Sequence, residues 1–249
     1  MFLRSGSRQQ SPAKRGSHGL DDVIGIAHDV LLPGRGESGF LPVGSKLVQL
    51  DHLVVAAVNL AAGADWVEQR LGARPVIGGC HDAMGTHNLL LGLGPCYLEV
   101  IAVDPFAGRP GRPRWFGLDD FDGAPRLVHW VARVENIEEA ARRSAEPLGA
   151  VTTAARGDLR WRITIRDDGH LPCDGVVPTL IEWDEMDAAS RLPASGWSLE
   201  SLEATHPDPA RACRILRSLG ATLEVICGDT AGLRATLRGP RGIAVIDGD

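Results

Sequence analysis

The chain of 249 residues is 44% hydrophobic and carries a formal net charge of -6, so it can bury a substantial core without a disulfide or a metal to fold it. Its excess of acid lies beyond residue 46, which argues against a broad nucleic-acid footprint. Both lysines, Lys14 and Lys46, fall in the first 46 residues, so Schiff-base chemistry is excluded from the body of the protein.

Residues 1–45, rich in Gly, Ser, Arg and Pro, are expected to form a disordered or loosely docked extension. The start lacks a continuous apolar segment before a small-residue cleavage site, and no apolar run approaches membrane-spanning length. Cys80, Cys96, Cys173, Cys213 and Cys227 show no CxxC spacing. Reduced thiols and a cytoplasmic location follow as expectations.

Apolar alternation predicts a strand over 47–56, and a 3.6-residue stripe predicts a helix over 60–71 that stops at Gly72. Strands over 74–77, 86–93 and 97–103 complete a βαβββ unit. The Pro/Gly-rich segment 105–125 carries Trp115, Phe116 and Phe121. A solvated tether needs no such aromatics, so part of it is expected to pack over the body as a lid or clasp. A second unit follows, with a strand over 127–134, a helix over 137–148, a strand near 151, and strands over 159–166 and 178–184. After a linker over 185–196 the pattern returns as a strand over 199–205, a helix over 207–219, and strands over 223–226, 233–237 and 243–246.

The first two units share sequence as well as pattern. LDHLVVAAVNLAAGADWVEQRLGA (50–73) recurs without a gap as LVHWVARVENIEEAARRSAEPLGA (127–150), setting His52 on His129 and Asn59 on Asn136. Such a register identifies an internal repeat. The third copy has Glu200 at the histidine position and no acid in its last strand, so it has lost the constellation.

In a βαβββ unit the first and fourth strands lie side by side, so His52 is expected to meet Glu99, and His129 to meet Glu182. Two imidazoles and two carboxylates make a donor set for a divalent Zn, Ni, Fe or Mn ion. Each residue also has a plainer role, as a hydrogen-bonded core histidine or a solvent-facing strand glutamate. Thr86 and Asn88 either position a substrate carbonyl or carboxylate, or stabilise a turn, and His81 and His87 are read as turn residues. Strand 159–166 sets Leu159, Trp161, Ile163 and Ile165 against Arg160, Arg162, Thr164 and Arg166. Its arginine face is either an anion-binding wall of the cleft or a solvated face, and Trp161 is either a stacking surface for a planar substrate or core.

The segments LDHLVV (50–55), HDAMGTHNLLLGLG (81–94), YLEVIAVDP (97–105), LRWRITIRDDG (159–169) and PTLIEWD (178–184) resemble the glyoxalase-like domain group of the vicinal-oxygen-chelate superfamily. The resemblance is strong over 47–184 and looser over 197–247. It implies an α+β fold in which paired βαβββ modules, 47–104 and 126–184 within a domain 46–185, form a half-barrel cleft, with a third degenerate module at 197–249. It also implies a metal held by His52, Glu99, His129 and Glu182, with Glu99 or Glu182 as the proton-transferring base. The activity implied is that of a lyase or isomerase chelating two oxygens of a small substrate; on the reading of the residues given above, Thr86, Asn88, Arg160 and Trp161 would stand beside that substrate. Two alternatives stand next to it: an iron-dependent extradiol-type dioxygenase, and a metal-free protein that binds or sequesters a small molecule. No nucleic-acid or membrane partner is expected, and the edge of the third module suggests a homodimer.

Overall fold

A computed structural model describes residues 48–248; the expected extension over 1–45 and the first expected strand residue, Leu47, lie outside them. Strand β1 (Gln49–Ala56) is buried from Asp51 onward, as a strand covered on both faces must be. Leu53 and Val55 enter a core shared with the helices, and Val54 and Ala56 enter a second core on the opposite face. Helix α1 (Leu60–Leu71) begins where the Asn59 side chain accepts the Ala62 N–H and ends at Gly72, in the left-handed region at φ 64°. Strands β2 (Val76–His81), β3 (Thr86–Gly92) and β4 (Tyr97–Val103) complete the unit. Strand β2 runs beyond its expected end because a bulge between Ile77 and Gly79 carries the pairing through two glycines that read as a stop.

The second unit consists of β5 (Arg126–Arg133), α2 (Ile137–Arg143), β6 (Ala150–Arg156), β7 (Leu159–Ile165) and β8 (Thr179–Trp183). Asn136 caps α2 by accepting the Glu139 N–H, so the repeated asparagines are a pair of helix N-caps. Helix α2 is shorter than expected: Ser144 leaves the helical region, and Pro147 could not have continued it. The third unit is β9 (Ser198–His206), α3 (Pro209–Leu219), β10 (Glu224–Cys227), β11 (Gly232–Gly239) and β12 (Gly242–Asp247).

Strands β1 to β8 form one sheet in the order β2-β3-β4-β1-β5-β8-β7-β6, and the third unit forms a separate sheet in the order β10-β9-β11-β12. Within the large sheet β1 runs parallel to β4 and β5 parallel to β8, while β1 and β5 join the two units antiparallel. The sheet curls into a half-barrel whose outer strands, β2 and β6, come into contact. The third unit packs on the helical layer: Trp197, Ile215, Leu219 and Leu237 share one core with Leu53, Leu98 and Leu180. Its other sheet face carries the ion pairs Arg238–Glu200 and Arg234–Asp247 alongside the exposed Ile226 and Ile243.

On the concave side Val54, Tyr97, Ile101, Trp161 and Ile181 form the second core together with Trp115, Phe116 and Leu118. The segment between the first two units therefore does pack over the sheet, as its aromatics suggest. Among the described residues no helix is long and apolar enough to cross a membrane.

Two left-handed glycines separate backbone strain from crowding. A Cβ at Gly149 (φ 101°) would lie 2.3 Å from the carbonyl carbon and oxygen of Ile165, whereas one at Gly94 (φ 85°) would meet nothing within 4 Å. Gly149→Ala is expected to cost about 2 kcal/mol more stability than Gly94→Ala, since only the former adds a steric clash to the dihedral penalty. Denaturant unfolding of the two variants checks this, and equal losses would contradict it.

Candidate functional site

The register of β1 on β4 sets Val54 beside Glu99 and His52 beside Tyr97. These side chains share the concave face, and both His52 and Glu99 are buried. His52 Nε2 lies 3.4 Å from Glu99 Oε2, and its Nδ1 lies 2.7 Å from Asp51 Oδ1. Asp51, wholly buried, also accepts from Arg133 Nε and Trp183 Nε1, each at 2.8 Å. The Tyr97 ring stacks on the imidazole at 4.6 Å. Asn88 donates its amide N–H to Glu99 and accepts from Arg156 through its amide oxygen at 3.0 Å.

Burial alone would lower the pKa of His52, but hydrogen bonds to Asp51 and Glu99 and their charges outweigh it and raise the value to about 9. Burial alone would raise that of Glu99, yet the hydrogen bond and charge of His52, with help from His81 and Asn88, bring it to about 2. At neutral pH an imidazolium therefore sits between two carboxylates.

The second unit repeats this frame with different chemistry. Val131, the counterpart of Val54, pairs with Thr179, so Thr179 stands where Glu99 stands in the first unit. His129 Nε2 accepts the Thr179 backbone N–H at 3.0 Å and lies 3.0 Å from Thr179 Oγ1, while Nδ1–H donates to the Gly175 carbonyl at 3.1 Å. Burial lowers its pKa to about 3, leaving it neutral.

Glu182 does not join this group. It lies between Ile181, on the concave face, and Trp183, which also lines the concave cavity, so strand alternation turns it to the other face. There it accepts the Ile137 N–H at 2.7 Å and pairs with Arg162 at 2.6 Å. The expected four-donor metal set is thus not assembled. His52 and Glu99 meet, the lone pair of His129 Nε2 is taken by a backbone N–H, and Glu182 is on the far side. Among the described residues no group of three or more His, Cys, Asp and Glu side chains is placed to hold a metal ion. The donor set does not fit the divalent centre that the family implies.

The other expected residues divide in the same way. Thr86 is buried and bonded to His81 Nδ1 at 3.1 Å. Asn88 holds Glu99 and Arg156 together, and Trp161 lines the cavity. Arg160 is exposed on the opposite face of β7, so the arginine row there is not a wall of the cleft. The arginine that does line it is Arg156, from the edge strand β6. His81, expected to be a turn residue, also lines the cavity, and burial lowers its pKa to about 4. Asp51, Arg133 and Arg156 were not among the expected residues; the one local signal was the adjacency of Asp51 to His52.

Trp115 and Phe116 roof the cavity. They stack on each other at 5.5 Å, Trp115 meets His81 edge-on at 5.0 Å, and Phe116 lies 5.6 Å from His129. The space left beneath them is only about 20 Å³. A second cavity, of about 790 Å³, lies where β5, α2 and β8 meet and is lined by Arg133, Asn136, Glu139, Arg143, Glu182 and Asp184. Glu182 is committed there to Arg162 and the start of α2, so this cavity lacks the sheltered acid–base pair of the concave one.

The sequence pattern of the glyoxalase-like domain family matches residues 50–220. Among solved structures, a hypothetical protein from Staphylococcus aureus superposes with a TM-score of 0.54 at 12% identity, over 74% of this chain and 88% of that one, which shows a shared fold. A methylmalonyl-CoA epimerase from Mycobacterium tuberculosis matches with a TM-score of 0.39 at 21% identity, over 56% of this chain and 91% of that one. A hypothetical protein from Bacillus halodurans C-125 matches with a TM-score of 0.39 at 14% identity, over 56% and 96%. No curated protein matches the sequence significantly.

These ionisations fix the sign of the pH dependence. The raised His52 contributes stability in full below its ordinary pKa of 6.5, and this is lost as pH rises through about 9. The depressed Glu99 contributes above its ordinary 4.5, lost as pH falls through about 2. His129 and His81, held neutral, lose stability as pH falls below 6.5 towards about 3 and 4, where the unfolded chain takes up protons first. Denaturant midpoints are expected to peak near pH 6.5 and fall on both sides. Glu99→Gln should flatten the alkaline limb and leave the acid limb of the two neutral histidines; an unchanged alkaline slope would refute the pair.

Proposed function

The chain belongs to the glyoxalase-like domain family of the vicinal-oxygen-chelate superfamily, and on that premise we propose that it is a lyase- or isomerase-like enzyme moving protons on a small carbonyl compound. In this proposal the domain of residues 46–185 carries the chemistry, and the module 197–249 braces its helices. The observation that supports it is the buried His52–Glu99 pair, backed by Asp51 and enclosed by aromatic walls. A site of this kind, with oppositely perturbed titrating groups in a sheltered cavity, is suited to acid–base chemistry.

The proposed step uses both members. Glu99 accepts the proton from the carbon beside a substrate carbonyl, and His52 gives its Nε2 proton to the oxygen as the enol forms. Each transfer helps the other, because once His52 loses its charge the effect that kept Glu99 a weak base is gone. Asp51 keeps the Nδ1 proton in place and the ring oriented, as the third member of a hydrogen-bonded relay does. Return of the proton to the same carbon or its neighbour gives an isomer, and loss of a group from the enol gives a lyase reaction.

Deuterium uptake from D₂O by a panel of small 2-aryl and 2-oxo carboxylic acids and ketones, followed by NMR, tests this proposal. His52→Ala and Glu99→Gln are expected to slow exchange by about 10²-fold or more. Exchange of a turned-over compound that is indifferent to both variants would overturn it. A stoichiometric divalent metal in protein purified without chelator, lost in His52→Ala, would overturn the metal-independent form and restore the chelate mechanism.

A further inference from the structure

The cavity that holds His52 and Glu99 is nearly filled, and what fills it comes from neither sheet. About 20 Å³ remains, room for a single water. Trp115 and Phe116 arrive from the segment between β4 and β5 and occupy the mouth as a stacked pair, with ring planes 21° apart. Two features mark this as an arrangement held in place at a cost. Phe116 has φ 59°, a left-handed conformation rare for a bulky residue. Among the described residues the buried indole N–H of Trp115 has no hydrogen-bond partner, although buried donors are normally satisfied.

Among the described residues, one cation that lines the cavity has no carboxylate partner. His52 pairs with both Glu99 and Asp51, and Arg133 bridges Asp51 and Asp187. Arg156, half-buried and lining the same cavity, bonds only the amide oxygen of Asn88 and has no carboxylate within 4 Å among the described residues. A guanidinium so placed is a receptor for a carboxylate. Tyr97, Trp161 and Trp183 add flat aromatic walls beside Ile163 and Ile181, the usual lining for a planar apolar body held by few polar groups.

We propose that Trp115 and Phe116 form a built-in plug seated in the place of a planar aromatic carboxylate, whose carboxylate pairs with Arg156 once the plug is displaced. The inference rests on the reading of this cavity as the substrate site and names the class of substrate it takes. It also explains the unpartnered indole: with the plug swung aside, the N–H reaches water or the carboxylate.

Isothermal titration of the whole chain with 2-naphthoate, and with its uncharged analogue 2-naphthamide, tests both parts. Phe116→Ala is expected to bind naphthoate about tenfold or more tighter than the wild type, because half of the plug is gone and the rest has lost the ring it stacks on. In the Phe116→Ala background, naphthamide or the added change Arg156→Gln should weaken binding by about tenfold or more, the value of one charged hydrogen bond. Arg156→Lys should recover part of the loss. Circular dichroism confirms folding, and Phe116→Leu replaces Phe116→Ala if the latter unfolds. Equal naphthoate affinity in the wild type and the Phe116 variant overturns the plug. Equal affinity for naphthoate and naphthamide, or indifference to Arg156→Gln, overturns the carboxylate seat. Binding uses no turnover, so it separates from the acid–base proposal: deuterium exchange that depends on Glu99 without naphthoate binding would sink only this inference, and binding without exchange only the other.

Discussion

A carboxylate at the bottom of an apolar half-barrel is the constraint from which the rest of the site follows. Removing Glu99 from water is expensive, and the charge is tolerable only where a counter-charge and hydrogen bonds replace the solvent. His52 and Asn88 supply these replacements, and each is itself held, His52 by Asp51 and Asn88 by its link to Arg156. Asp51 in turn draws Arg133 and the Trp183 indole towards it, tying β1 to β5 and β8. One buried charge thereby fixes side chains from strands on both sides of the module junction. The roof of Trp115 and Phe116 keeps water out, so these interactions act in a low-dielectric space where they are strongest.

The two modules show how a repeat diverges while its frame persists. Both place a histidine on the concave face of the first strand, and both set a partner from the fourth strand against it. In the first module the partner is Glu99 and the histidine is charged. In the second it is Thr179, whose hydroxyl and backbone N–H leave His129 fully bonded, while burial keeps the ring neutral. The third module keeps the strands and helix but turns its apolar side to the helical layer of the other two, and its open face carries the exposed Arg238–Glu200 pair. The buried His52–Glu99 pair belongs to the first module, and neither of the other two repeats it.

Glu182 illustrates where sequence inference misled. It is the one glutamate in the last strand of the second module, and pairing it with His129 by residue type is natural. Alignment by the ends of the strands gives a different answer, because Asp104 and Asp184 close equivalent strands and count back to Glu99 and Thr179. A strand exposes alternate residues to opposite faces, so an odd error in register moves a side chain through the sheet. That is why Glu182 is found with Arg162 and α2 instead of His129. Arg160 failed for the same reason, since it alternates with Trp161, and Trp161 took the cavity.

The sequence by itself determined the fold class and the repeat that sets His52 on His129 and Asn59 on Asn136, and it put forward His52, Glu99, His129 and Glu182 as a candidate set of which the structure joins only His52 and Glu99. The fold and the repeat are legible because hydrophobic period and repeat register are local properties of the chain. Tertiary structure alone decided that Asp51 and Arg133 stand behind His52, that Arg156 reaches across from β6 to Asn88, and that Trp115 and Phe116 close the mouth. Those contacts join residues far apart in sequence, and they depend on how strongly the sheet curls and how the connecting segment folds back. Curvature and closure are summed over many strands, so no local pattern encodes them, and the chemistry of the site waits on them.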